Sequence, residues 1–237
     1  MLCALAWTMA ATWPGPGRSQ EMFWSTTLPA ITGTDTLGLH LRNLQEQQQG
    51  GGRQRAQPKP PISATAFRYV PSPQRRAANL AQFVARSRQN DPKGAGDLAR
   101  LFASTDVIEA MRAPLAEAGL RIDDVADAYT AWWINAWLAS HETDLDPSPR
   151  MAAAVRNQAA QAIAAAGALR GASDAVKQET AEALLVQAML ISMAIEQSKG
   201  DSALSRQLAA AVTQGARGMN VDLSGMTLTE DGFVPAE

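Results

Sequence analysis

The chain is poor in the side chains that carry most enzyme chemistry. Of its 237 residues one is cysteine, Cys3, and two are histidines, His40 and His141. A lone thiol beside the N-terminus can form no internal disulfide and cannot build a thiolate zinc site. With one histidine in the predicted folded part, a metal centre is improbable, and neither metal nor cofactor is expected. None of the patterns GxSxG, HExxH, Walker A or GxGxxG occurs. Beyond the N-terminal residues no stretch offers the ~20 uninterrupted apolar residues of a membrane-spanning helix. Net charge is −2, so no global field selects a class of partner. Aromatics make up 5% of the chain, and their placement is the first informative feature.

Met1 to about Ser19 reads as a secretory signal peptide. Leu2 to Ala11 is apolar or small, and Pro14, Gly15, Pro16 and Gly17 break the run. Gly17 and Ser19 then stand at the −3 and −1 positions of a cleavage before Gln20. No Lys or Arg precedes the apolar run, a departure that a misassigned start codon would explain. The alternative is a cytosolic protein with an apolar tail. Export places the mature chain in the periplasm or outside the cell and turns expectation away from nucleic acid as a partner.

Residues 20–66 read as a disordered linker. The run QEQQQGGGRQRAQPKPP, from Gln45 to Pro61, is too polar and too rich in Gly and Pro to bury the apolar area that offsets chain entropy. From Phe67 to Glu237 every segment carries helical punctuation. Ser72-Pro73, Asp91-Pro92 and Ser148-Pro149 each join an N-cap to proline at the first helical position. A third helix from about Thr105 should stop at Gly119 and be kinked or split by Pro114. Asp123 or Asp124 caps an aromatic helix, Ser173 and Asp174 start the longest one, and Asp201 or Ser202 opens the last, closing near Gly218. The tail alternates: Val221, Leu223, Met226 and Leu228 are set among polar residues, which predicts an extended or β-like segment. The expected fold is all-α: a single bundle of about seven helices with a short β-like C-terminal tail.

Two helices look central. The stretch DDVADAYTAWWINAWLASH, Asp123 to His141, places Tyr129, Trp132, Trp133 and Trp137 on one broad arc. The long helix is apolar nearly all round between Leu184 and Ile195, and such a helix must be surrounded by others. The two are therefore expected to pack together. The segments VADAYTAWWINAWLAS, ASDAVKQETAEALLVQAMLI and LTEDGFVP resemble those of an uncharacterised family of exported bacterial helical proteins. The resemblance runs from about Val70 to Pro235. It implies export and an all-α fold, and it assigns no catalytic residue.

Three constellations are candidates for function. The aromatic residues Tyr129, Trp132, Trp133 and Trp137, with Asn135, are either core or the lining of a pocket for an apolar or sugar ligand. Asn135, if buried, should bond a neighbouring helix terminus or loop, or a ligand. Charge is the second feature. From Arg42 to Arg112 there are twelve basic and five acidic residues, whereas Ala113 to Glu237 has eight basic and sixteen acidic. Arg75, Arg76, Arg86 and Arg88 on the first helix are thus candidates for an acidic protein or anionic envelope component, unless the basic helices fold onto the acidic half. The third is a hydrolase reading, which needs Asp124 or Asp127 beside His141 or Glu142. It is disfavoured, because Asp127 and His141 lie ~21 Å apart along one helix axis. The favoured expectation is an exported, non-catalytic interaction module with no catalytic residues.

Overall fold

The computed structural model describes residues 62–236 apart from 64, 90, 168, 219 and 220. The predicted signal peptide (1–19) and most of the predicted linker (20–66) lie outside the described residues. Among the described residues eight α-helices follow in order: α1 (Pro73–Arg88), α2 (Pro92–Ser104), α3 (Val107–Ala110), α4 (Arg112–Glu117), α5 (Val125–Ser140), α6 (Pro149–Ala166), α7 (Asp174–Ser198) and α8 (Ser202–Gly218). A 3-10 turn (Leu223–Gly225) leads into a hairpin of β1 (Met226–Thr229) and β2 (Gly232–Pro235). The all-α bundle with a short β tail is therefore the architecture.

Local sequence explains where the helices start. Ser72, Asp91, Ser148 and Ser173 each accept a backbone N–H of the first turn, and proline fills the next position in the first three. The predicted third helix is two short ones, α3 and α4, broken at Met111. Pro114 has no N–H to bond the carbonyl of Ala110, and its ring crowds that carbonyl, so the chain starts a new turn there.

The two predicted axles meet. Every residue of α5 from Val125 to Ala139 is buried, as is every residue of α7 from Leu184 to Ser192. Their mutual interface is the largest between any two elements. Helices α6 and α8 flank α5, α1 lies along the first half of α7, and α2 packs on α1. Burial of three tryptophans and a tyrosine contributes on the order of 10 kcal/mol of hydrophobic stabilisation. Upstream of α1 the chain is tied in by Tyr69 and Val125, whose backbone N–H groups donate to Asp123 (3.2 Å) and Phe67 (3.1 Å).

The tail closes the bundle. β1 and β2 pair antiparallel with Leu228 opposite Phe233, and Val221, Leu223, Met226, Leu228 and Phe233 are buried. Gly232, at φ +93°, makes the turn that β-carbon-bearing residues resist.

Candidate functional site

The aromatic helix is filled from inside. Tyr129, Trp132, Trp133 and Trp137 are between 2 and 7% exposed, so none offers a ring face to solvent. Phe233 stacks on Trp133 with centroids 4.5 Å apart and lies 6.2 Å from Trp137. Trp133 donates its indole N–H to Met226 Sδ (3.2 Å), and Trp137 donates to the Met226 carbonyl (2.9 Å). The WWINAW helix and the LTEDGF tail thus complete each other: the hairpin supplies the ring and the acceptors that two of the tryptophans need. Tyr129 meets Trp132 and Trp133 edge-on, at 5.5 and 6.2 Å. Its phenol is pushed far above the ordinary range by burial. Tyr129 Oη and Trp132 Nε1, with Gln187 Oε1, have no hydrogen-bond partner among the described residues.

Asn135 is buried and donates Nδ2 to the Ala131 carbonyl at 2.8 Å. From the sequence, a neighbouring helix terminus or loop, or a ligand, is the expected partner. The amide instead turns back on its own helix, where the carbonyl one turn earlier is the acceptor in reach.

The four arginines of α1 divide into two pairs. Arg75 donates Nε to Gln178 Oε1 (2.9 Å) and Nη2 to the Val70 carbonyl (2.8 Å). Arg76, with a side chain 12% exposed, pairs with Glu182 at 3.1 Å and with Asp106 at 2.6 Å. Glu182 is itself buried and accepts from Asn79 (2.6 Å) and Gln178 (2.8 Å), so both its oxygens are satisfied. This polar seam clamps α1 to α7. Arg86 faces outward: its contact with Glu179 is 3.7 Å long, and both side chains are about half exposed. Arg88 is exposed as well.

Between α1 and α7 runs a shallow groove with a floor of Leu80, Phe83, Ala183 and Val186 and a rim that includes Gln82, Arg86 and Glu179. Its enclosed part is about 20 Å³, room for little more than one water. That volume is too small for a buried small molecule.

The carboxylates at the start of α5 have structural work. Asp124 caps the helix, accepting from Ala126 N (2.9 Å) and Asp127 N (3.2 Å). Asp127 accepts from Arg121 N (3.0 Å) and from Arg156 Nε (2.6 Å). Burial, then the charge of Asp124, pushes the Asp127 carboxyl up to about 6. Burial also acts on Asp123, but the Arg121 guanidinium outweighs it and holds that carboxyl below the usual range. His141 sits at the opposite end of α5, its ring stacked on Trp137 at 4.3 Å. The carboxylates and His141 are therefore not brought together. Among the described residues no group of three or more His, Cys, Asp or Glu is placed to hold a metal ion.

Sequence reasoning missed Arg156, Gln158, Gln178 and Glu182. For the last two a signal existed: they stand four residues apart just before the apolar stretch of α7, and Arg75 and Asn79 repeat that spacing on α1, with Arg76 three residues before Asn79. Arg156 and Gln158 gave none, because their roles depend on which element lies beside α6. Gln158 reaches the hairpin, donating Nε2 to the Phe233 carbonyl (2.8 Å) and accepting the Phe233 N–H (2.9 Å), as a neighbouring strand would. No helix among the described residues is long and apolar enough to cross a membrane. Neither the curated proteins nor the solved structures contain a match to the chain. A protein-family model does match, over residues 5–234, and the chain belongs to DUF6683, a family of unknown function.

Proposed function

We propose that the chain is an exported, non-catalytic helical domain that acts as an interaction module in the cell envelope, its contact face centred on the outer side of α1. The observation behind this reading is the division of the arginines. Arg75 and Arg76 are consumed by the α1–α7 seam, whereas Arg86 stays at the rim of an open groove with an apolar floor and Arg88 is exposed near the end of the same helix. A half-exposed ion pair as long as Arg86–Glu179 contributes little, under about 1 kcal/mol, and is readily exchanged for an anionic partner. The chemistry recognised is an acidic protein surface or an anionic envelope polymer, met by the Arg86 guanidinium and an apolar strip, with Arg88 adding positive charge at the same end of α1.

The test is salt-dependent retention of the mature protein on an anionic surface, comparing wild type with Arg86→Gln/Arg88→Gln. Wild type should be retained at low salt and released at high salt. The double variant should lose retention while keeping its melting temperature. Equal behaviour of the two proteins at low salt would remove the basis of the reading. Substituting Arg75 and Arg76 in the same experiment would confound it, because those residues hold the fold.

A further inference from the structure

Two carboxylates with almost no solvent contact sit one helical turn apart where α5 begins, and a guanidinium from α6 reaches both. The Asp124 and Asp127 side chains are 1% and 3% exposed. Arg156 holds Asp127 Oδ1 at 2.6 Å through Nε, but its Nη2 comes only to 3.5 Å from Asp124 Oδ2. That oxygen is buried and has no hydrogen bond among the described residues. The other charged groups around the pair are already committed. Arg121 and Arg68 turn their side chains to Asp123, at 2.9 and 3.7 Å. Tyr69, on the entering segment, donates its hydroxyl to the Ile122 carbonyl at 2.7 Å, and burial keeps it neutral. The two negative charges thus face each other across a shortage of compensating positive charge.

We propose that Asp124, Asp127 and Arg156 form an acid-strengthened latch between α5 and α6, in which the carboxylate pair takes up one proton on mild acidification and the bundle becomes more stable. The proton belongs to the pair, since two coupled acids titrate together. Its seat is mainly Asp127, raised from 3.8 to about 6 by burial and by Asp124; burial raises Asp124 too. The folded chain therefore binds this proton more tightly than the unfolded chain does. The stabilisation is fully present below the unfolded value and is lost as pH rises through about 6. Between about pH 7 and about pH 5 it amounts to roughly tenfold in the folding equilibrium constant. Asp123, Glu109 and Asp222, whose carboxyls are held below their ordinary values, oppose it only in stronger acid.

Urea unfolding of the full chain at these two pH values, for wild type, Asp127→Asn and Asp123→Asn, tests the latch. Wild type and Asp123→Asn should gain about tenfold in folding constant on acidification, and Asp127→Asn should lose that gain. Comparison with the Asp127→Asn series removes what the rest of the chain contributes. A gain retained in Asp127→Asn, or one absent from wild type, overturns the proposal. Should Asp127→Asn fail to fold, carbon NMR titration of the wild-type carboxyls decides. A midpoint for Asp127 near 6 supports the latch, and one near the ordinary value of about 4 overturns it.

Discussion

Removing the Glu182 carboxylate takes the acceptor from Arg76 Nε and Asn79 Nδ2 and one of two acceptors from Gln178 Nε2, which keeps the Ser72 carbonyl. Arg76 keeps its pairing with Asp106, and the loss is that of buried donors deprived of an acceptor, so Glu182→Ala should lower the unfolding free energy by about 2–3 kcal/mol. Arg86→Gln, ten positions along the same helix from Arg76, should change it by less than about 1 kcal/mol. Chemical denaturation of the two variants measures both. Gly232 gives a second contrast at this scale. A β-carbon there would stand 2.5 Å from Gln158 Oε1 at a backbone angle that side chains resist, and Gln158 cannot swing away without releasing both bonds to Phe233. Gly232→Ala should therefore cost about 2 kcal/mol or more by unfolding, whereas Gly96→Ala, where nothing lies within 4 Å, should be neutral or stabilising. The sequence made the caps legible because a cap is decided within four residues. The pairing of Asp127 with Arg156 and of Gln158 with Phe233 was not legible, because each is chosen by a helix or hairpin distant in sequence.

At the scale of elements, the hairpin and α5 are one unit. Phe233 covers Trp133 and approaches Trp137, while Met226 takes both indole N–H groups. Phe233→Ala should cost about 3 kcal/mol as a large-to-small change in a packed interior. It should also shift tryptophan emission to the red by admitting water to two indoles. Helix starts, the break before Pro114 and the pairing of the two apolar helices all followed from capping residues and periodicity. The tail was readable as β-like from its alternation, but its docking on the tryptophans was not, since alternation says which residues are buried and not against what.

For the whole molecule, the charge asymmetry along the chain has a large internal component. Arg75 and Arg76 of the basic part lie on Gln178 and Glu182 of the acidic part, whereas Arg86 and Arg88 stay at the surface of α1. The proposed export has its own test: N-terminal sequencing of the protein from the cell envelope should find a chain starting at Gln20, and an intact Met1 in the cytosol would exclude it. The aromatic helix is the interior of the bundle. Acrylamide quenching of a Trp24→Phe form of the exported chain measures this most directly, since Trp132, Trp133 and Trp137 then report alone. Blue-shifted emission and strong shielding, unchanged by apolar or sugar ligands, are the expected result. Ready quenching, or a spectral shift with such a ligand, would contradict it and make the tryptophans a binding site.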